Sequence, residues 1–321
     1  MSDLHPTPDP SPSRGGEKKI TPLPLAGRGR GGGILETSSQ LQFHAEALAA
    51  RLPALLVEAE RVAATVALGV HGRRRSGPGE SFWQYRRYQS GDPAALIDWR
   101  QSARSDPLYV RETEWMSAQA VWVWSDPSPS MHWRSRPDLP AKNDRANLLA
   151  LALAALLVRG GERVGLLGAD RAPAMGRAVL ARLAVELMED RSAQGIPAAS
   201  LPGWGHVVLI SDFLMPADAI AAAIAHWAGT GVRGHLLHLL DPAEESLPYE
   251  GRTHFFGLEG EGNMLAPRAE MLREKYQAKL ADHRAQLAAA ARSWGWGFAI
   301  HRTDTPPEPA LLALHQALEG R

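Results

Sequence analysis

Asp126, Ser128 and Ser130 alternate with prolines in the string Asp126-Pro-Ser-Pro-Ser130-Met131, directly after the apolar run Ala120–Trp124. One carboxylate and two hydroxyls on so tight a turn can converge. Together they suit magnesium, which asks for hard oxygen ligands in octahedral geometry at about 2.1 Å and often keeps positions for water or an outside ligand. A second carboxylate, Asp212, follows the apolar run His206–Ile210 through Ser211, so it too is expected at a strand end. Asp126, Ser128, Ser130 and Asp212 are therefore the candidate metal set, with Mg2+ the expected ion. The same string also suits an Asx-turn whose hydroxyls cap the next helix. Asp126 and Asp212 could instead serve a metal-dependent hydrolase, although no general base or nucleophile stands out and no Gly-x-Ser-x-Gly elbow occurs.

Other chemistries find less support. There is no cysteine, which excludes disulfides, thiolate metal sites and cysteine nucleophiles and fits a reducing compartment. Lysine plus arginine (35) balance aspartate plus glutamate (35), so no global field draws the chain to nucleic acid or an anionic membrane. The local run His71-Gly-Arg73-Arg-Arg75 could touch phosphates, but it stands alone. Gly160-Gly161 and Gly165 lack the Gly-x-x-x-x-Gly-Lys-Ser/Thr context of a phosphate loop, and Gly160-Gly161 is expected to stop a helix. His235 and His238 lie on a predicted strand at a spacing that sends them to opposite faces, so they cannot easily share a metal.

The elements that must position the acids are a regular alternation. Strands are expected at Ala120–Trp124, Arg163–Leu167, His206–Ile210, His235–Leu240 and Gly297–His301. Helices are expected near Asn143–Val158, Arg177–Met188, Ala217–Ala228, Pro267–Ser293 and Glu308–Leu318. Such alternation implies a doubly wound, mostly parallel α/β sheet with helices on both faces, and ligands of such sheets sit at the carboxyl ends of the strands. The apolar run Ala146–Val158 is shorter than the roughly 20 residues of a membrane span and is expected to be a buried helix. Met271, Leu272, Tyr276, Leu280 and Leu287 are expected to form the covering side of the long C-terminal helix.

Upstream, residues 1–38 are rich in Pro, Gly, Ser and Arg, are expected to be disordered, and lack the apolar core of a secretory signal. They are expected to be dispensable, with translation starting further along. Leu41 to Leu52 has helical spacing, and Pro53 suits the first turn of a second helix carrying Leu55, Leu56 and Val62. Residues 69–92 crowd Gly, Arg and aromatics and are expected to form a structured loop region. Arg86, Arg100, Arg104 and Arg111 beside Asp92, Asp98 and Glu112 are suited to bidentate pairs that tie this region to the sheet. The alternative is that they face an acidic partner.

The segment with Arg86-x-Tyr88, Gly91-Asp92, Ile97-Asp98-Trp99 and Ala103-Arg104, followed by Asp126-x-Ser128-x-Ser130, resembles the bacterial family called domain of unknown function 58. Ser90 and Pro93 depart from its usual pattern. The resemblance runs from about Leu41 to the C terminus. It implies a von Willebrand A-like domain at 117–321 whose strand-end turn resembles a metal-ion-dependent adhesion site, a helical and arginine/aromatic module at 39–116, and a tail at 1–38. It further implies a non-enzymatic, cytoplasmic adaptor that works with a MoxR-type AAA+ ATPase in assembly or maturation of protein complexes. Arg86, Asp92, Asp98, Trp99 and Arg104 are the expected partner-binding set. The adhesion site of that fold also uses a threonine between the two strands, and this sequence has none between Thr113 and Thr230. Ser192, Ser200 or Asp170 are the candidate substitutes, and weak or absent magnesium binding is expected.

Overall fold

The computed structural model describes residues 18–19, 53–67, 82–89, 97–104, 107–113, 119–189, 195–260 and 262–319. Chain order begins with β1 (Lys18–Lys19), the described part of the expected tail, which pairs in parallel with Thr253 and His254. Helix α1 (53–67) follows, then β2 (Phe82–Arg87), α2 (Trp99–Ser102) and β3 (Tyr109–Thr113). The sheet domain runs β4 (Ala120–Ser125), a 3-10 turn (Pro129–His132), α3 (Lys142–Arg159), β5 (Arg163–Leu166), α4 (Ala178–Met188), β6 (His206–Ser211), α5 (Ala217–Ala228) and β7 (Arg233–Leu240). It closes with α6 (Pro242–Ser246), β8 (Thr253–Phe256), β9 (Asn263–Ala266), a 3-10 turn (Ala269–Leu272), α7 (Arg273–Ser293), β10 (Gly297–Arg302) and α8 (Pro307–Glu319).

The expected strands assemble into one five-stranded sheet of order β10-β7-β6-β4-β5, parallel at every step. The sheet starts with β4, adds β5 on one side as an edge strand, then crosses back over β4 to lay down β6 at the centre, followed by β7 and β10. The direction of winding reverses between β4 and β6, the place where doubly wound sheets open a crevice beyond the strand ends.

Burial on both faces explains why the strands lack a polar alternation. Val121, Val123, Val208, Ile210, Leu237 and Leu239 pack under α3, α4 and α8. Trp122, Trp124, Val207, Leu209 and Leu236 pack on the other side under α5 and α7, with Trp227 and Trp296 stacked. Helix α3 is buried almost all round, from Ala146 through Leu157 apart from Asn147, as expected of a helix with no polar face. Helix α1 contributes Ala59, Val62, Ala63 and Val66 to the same core as α3, so it packs on the sheet domain. Gly160 caps α3 and Gly161 takes φ +82, the expected stop.

Differences from expectation are local. The expected loop region 69–92 contains β2, paired antiparallel with β3. The hairpin β8–β9 and the short α6 were not anticipated. Met271 is 72 % exposed and does not cover the sheet, because it sits in the 3-10 turn before α7; Leu287 and Ala291 are the buried residues of that helix. The Leu41–Leu52 helix lies outside the described residues.

Candidate functional site

The ladder between β4 and β6 continues one step past β4, with the Asp126 amide donating to the Ile210 carbonyl at 3.0 Å. That step fixes Asp126 beside the end of β6. Its Oδ1 accepts the Ser128 amide at 2.8 Å, which is the Asx-turn expected of Asp-Pro-Ser. Its Oδ2 accepts the Ser211 hydroxyl at 2.5 Å, and the Ser211 oxygen in turn accepts the Phe213 amide at 2.7 Å, bracing a residue held at φ +51. The Ser128 and Ser130 hydroxyls lie 3.2 Å apart, and Ser130 donates to Asp212 Oδ2 at 2.7 Å. Asp126, Ser128, Ser130 and Asp212 are thus brought together, as the sequence predicted.

Two further residues complete the cluster. Lys142, the first residue of α3, donates its ammonium to Asp212 Oδ2 at 2.8 Å and to Glu244 Oε1. Glu244 accepts the Asp241 amide on its other oxygen at 2.8 Å, while Asp241 caps α6 through Ala243 and accepts the Ser135 amide at 2.9 Å. Three loops are tied at one point: those after β4, β6 and β7. The sequence reading missed Lys142 and Glu244. The one available signal was a lysine in the first turn of a helix, where its charge opposes the positive end of the helix dipole.

Apart from Glu244, whose side chain is 18 % exposed, the cluster is closed to solvent. Asp126 and Asp212 are each 1 % exposed, Ser130 2 % and Lys142 0 %. Burial pushes the Asp126 carboxyl above its ordinary range, against the hydrogen bonds from Ser211 and Ser128 that favour the ionised form. Burial raises Glu244 as well, against the attraction of Lys142. Burial alone would depress Lys142, but Glu244 and Asp212 more than offset it and the net direction is upward. Both counter-charges thus favour the protonated form of the lysine.

Magnesium would have to share these oxygens. Both Asp126 oxygens and the Asp212 oxygen nearest Ser130 already accept protein donors, and one of those donors is a full positive charge. Among the described residues, no three His, Asp or Glu side chains converge on a point that could hold a metal ion. Of the candidate threonine substitutes, Ser200 and Asp170 are exposed, whereas the acids are buried, and Ser192 lies outside the described residues.

The expected partner-binding set is not drawn together with this cluster. Asp98 caps α2 by accepting the Gln101 amide at 2.9 Å, and its backbone holds Ser102, whose hydroxyl accepts the Tyr109 amide. Trp99 is 64 % exposed and Arg104 is exposed. Arg86 stands on β2 opposite Val110, and Asp92 lies outside the described residues. His235 and His238 fall on opposite faces as expected: His235 lies against Gly297, and His238 among Phe213, His283 and Phe298.

A family model described as "Protein of unknown function DUF58" matches residues 84–286. The uncharacterized protein Rv1480 of Mycobacterium tuberculosis is 28% identical over 274 residues, covering 80% of this chain and 85% of that protein. The uncharacterized protein Mb1516 of Mycobacterium bovis matches to the same extent. Among solved structures, an aerotolerance-related membrane protein from Bacteroides fragilis is 18% identical, with a TM-score of 0.38 over 64% of this chain and 100% of that one. A score at that level says nothing of function. No helix among the described residues is long and apolar enough to cross a membrane.

Proposed function

Since this chain belongs to the DUF58 family, whose description assigns no function, we propose from its own site that it is a non-enzymatic interaction protein built on a von Willebrand A-like domain. The observation that carries this reading is that each candidate reactive group at the strand ends is held by another group of the chain and is buried: Asp126 by Ser128 and Ser211, Ser130 by Asp212, and Asp212 by Lys142. Catalysis needs a nucleophile with a base in reach and a place for substrate. Here the lysine that shares an Asp212 oxygen with Ser130 is engaged by two carboxylates, and the hydroxyl already donates to one of them.

What such a cluster does well is fix three loops at the end of a sheet in one arrangement, which is the requirement of a docking face. The resemblance in the Arg86 to Arg104 segment points to a MoxR-type AAA+ ATPase as the partner and to assembly or maturation of complexes as the setting, with a cytoplasmic location following from it. The test is affinity purification of the full chain from its own cells under gentle, nucleotide-containing conditions. An AAA+ ATPase is expected at near-stoichiometric yield, and lost when Trp99 and Arg104 are both replaced by alanine. Turnover on a panel of esters and phosphoesters that disappears in Asp126→Asn would instead establish the metal-dependent hydrolase.

A further inference from the structure

We infer that Lys142 is the resident cation of the strand-end site, its ammonium neutralising Asp212 and Glu244, so that the site needs no metal. The inference concerns the site's chemistry and holds whatever partner docks there.

The placement of Lys142 is costly in two ways. It opens an 18-residue helix, where a positive charge meets the positive end of the dipole, and it is 0 % exposed, where an ammonium loses its hydration. Removing an ion of this size from water costs several kcal/mol even after relaxation, so the residue is tolerable only with close counter-charges. It has two, Asp212 and Glu244, in direct contact. Glu244 lies outside the Asp126, Ser128, Ser130 and Asp212 set, and its other oxygen is fixed by the capping box of α6. An extra carboxylate held rigidly against the ammonium is what a permanent cation requires, and what a metal site built from the other four residues does not.

The hydroxyl geometry agrees. Ser130 and Lys142 donate to the same Asp212 oxygen, so the hydroxyl that would share a metal with that carboxylate is bonded to the carboxylate itself. A divalent ion placed within about 4 Å of the ammonium would meet a repulsion of several kcal/mol at the effective dielectric of a partly buried site. The missing threonine fits as well: with no metal to complete, no hydroxyl from the intervening loop is needed.

The prediction is sharp because removing the lysine should convert the site. Lys142→Ala leaves Asp212 and Glu244 facing each other beside Ser130, without their cation. Manganese is the probe, titrated into the wild-type chain, Lys142→Ala and Lys142→Ala/Asp212→Asn by calorimetry, with thermal melts alongside. The wild type is expected to give no binding heat and no shift in Tm. Lys142→Ala is expected to bind, with Tm rising by about 5–10 °C when manganese is about 100-fold above its Kd, and the double variant to lose both. Micromolar manganese binding by the wild type that Asp126→Ala abolishes would overturn the inference, as would a folded Lys142→Ala that ignores manganese. If Lys142→Ala does not fold, Lys142→Gln is read the same way. Failure of manganese to rescue either variant also overturns it, because a site that can exchange ammonium for metal must be stabilised by the metal.

Discussion

At the scale of single residues, Ser211 ties the first acid, Asp126, to the chain at the end of β6, beside the second. Its hydroxyl donates to Asp126 Oδ2 and its oxygen accepts the Phe213 amide, all at no more than 1 % exposure. Ser211→Ala therefore leaves a buried carboxylate oxygen short of a donor and a buried amide without its acceptor. Each such orphan costs about 1–3 kcal/mol, so a loss of about 2–6 kcal/mol is expected in urea denaturation, well above that of a surface serine. A loss under about 1 kcal/mol would mean that the turn relaxes freely and that the cluster does not fix the loops. The acids themselves were legible because each follows an apolar run that can only be a buried strand. Their partners were not. Lys142 meets Asp212 across 70 residues and Glu244 across 102, and nothing in local pattern signals such a pairing. Of what the string allowed, Ser128 closes the Asx-turn, but neither serine hydroxyl caps the helix that follows, and Ser130 reaches the second acid instead.

At the scale of elements, strands buried on both faces announce themselves by continuous apolar runs, as in β4 and β6, and all five of the sheet, the half-buried edge strand β10 included, were readable to within two residues at either end. The hairpin β8–β9 was not, because Asn263–Leu265 are exposed and the short strands lack the apolar signal that burial imposes. Helix packing against the sheet is just as specific. A Cβ on Gly234 would lie 2.3 Å from the Trp296 ring. That ring cannot retreat: it is 3 % exposed, stacked parallel to Trp227 at 6.3 Å, and its indole donates to the Val232 carbonyl at 3.2 Å. Gly234→Ala is expected to cost about 1–3 kcal/mol, the range of an overpacked core. Gly160→Ala is the comparison, since the nearest atom to its Cβ is a helix carbonyl at 3.3 Å, in ordinary backbone geometry. Equal melting temperatures for the two variants would show that the tryptophan stack yields.

At the scale of the whole molecule, balanced charge near pH 7 leaves no strong net repulsion there, and the buried titratable groups shape how stability falls on either side. Burial pushes His238 down to about 3, with Arg284 adding to it, and pushes His235 and His301 down to about 4. These histidines are neutral in the fold but take up a proton near 6.5 once unfolded, so their contribution is complete above 6.5 and is lost as pH falls towards 4 and 3. Asp126 and Glu244 work the other way, since their raised values favour the fold as they protonate, and they soften the acid limb without removing it. On the alkaline side Tyr249 and Tyr276 are pushed up to about 12 by burial, so their contribution is complete below 10 and fades as pH rises through 12, and Lys142 behaves likewise above 10.5. The expected profile of Tm is a plateau between about pH 7 and 10 with a loss on each side. His238 faces Asp212 and Lys142 of the strand-end cluster as well as His283 and Arg284, so it couples the acid limb to the site. His238→Leu, close in volume and without a proton to gain, is expected to retain about 2 kcal/mol more of its neutral-pH stability at pH 5 than the wild type does. Denaturant titrations of both proteins at pH 7.5 and pH 5 give that difference directly. Identical losses in the two would place the acid sensitivity elsewhere and show that His238 is charged, and therefore hydrated, in the folded chain.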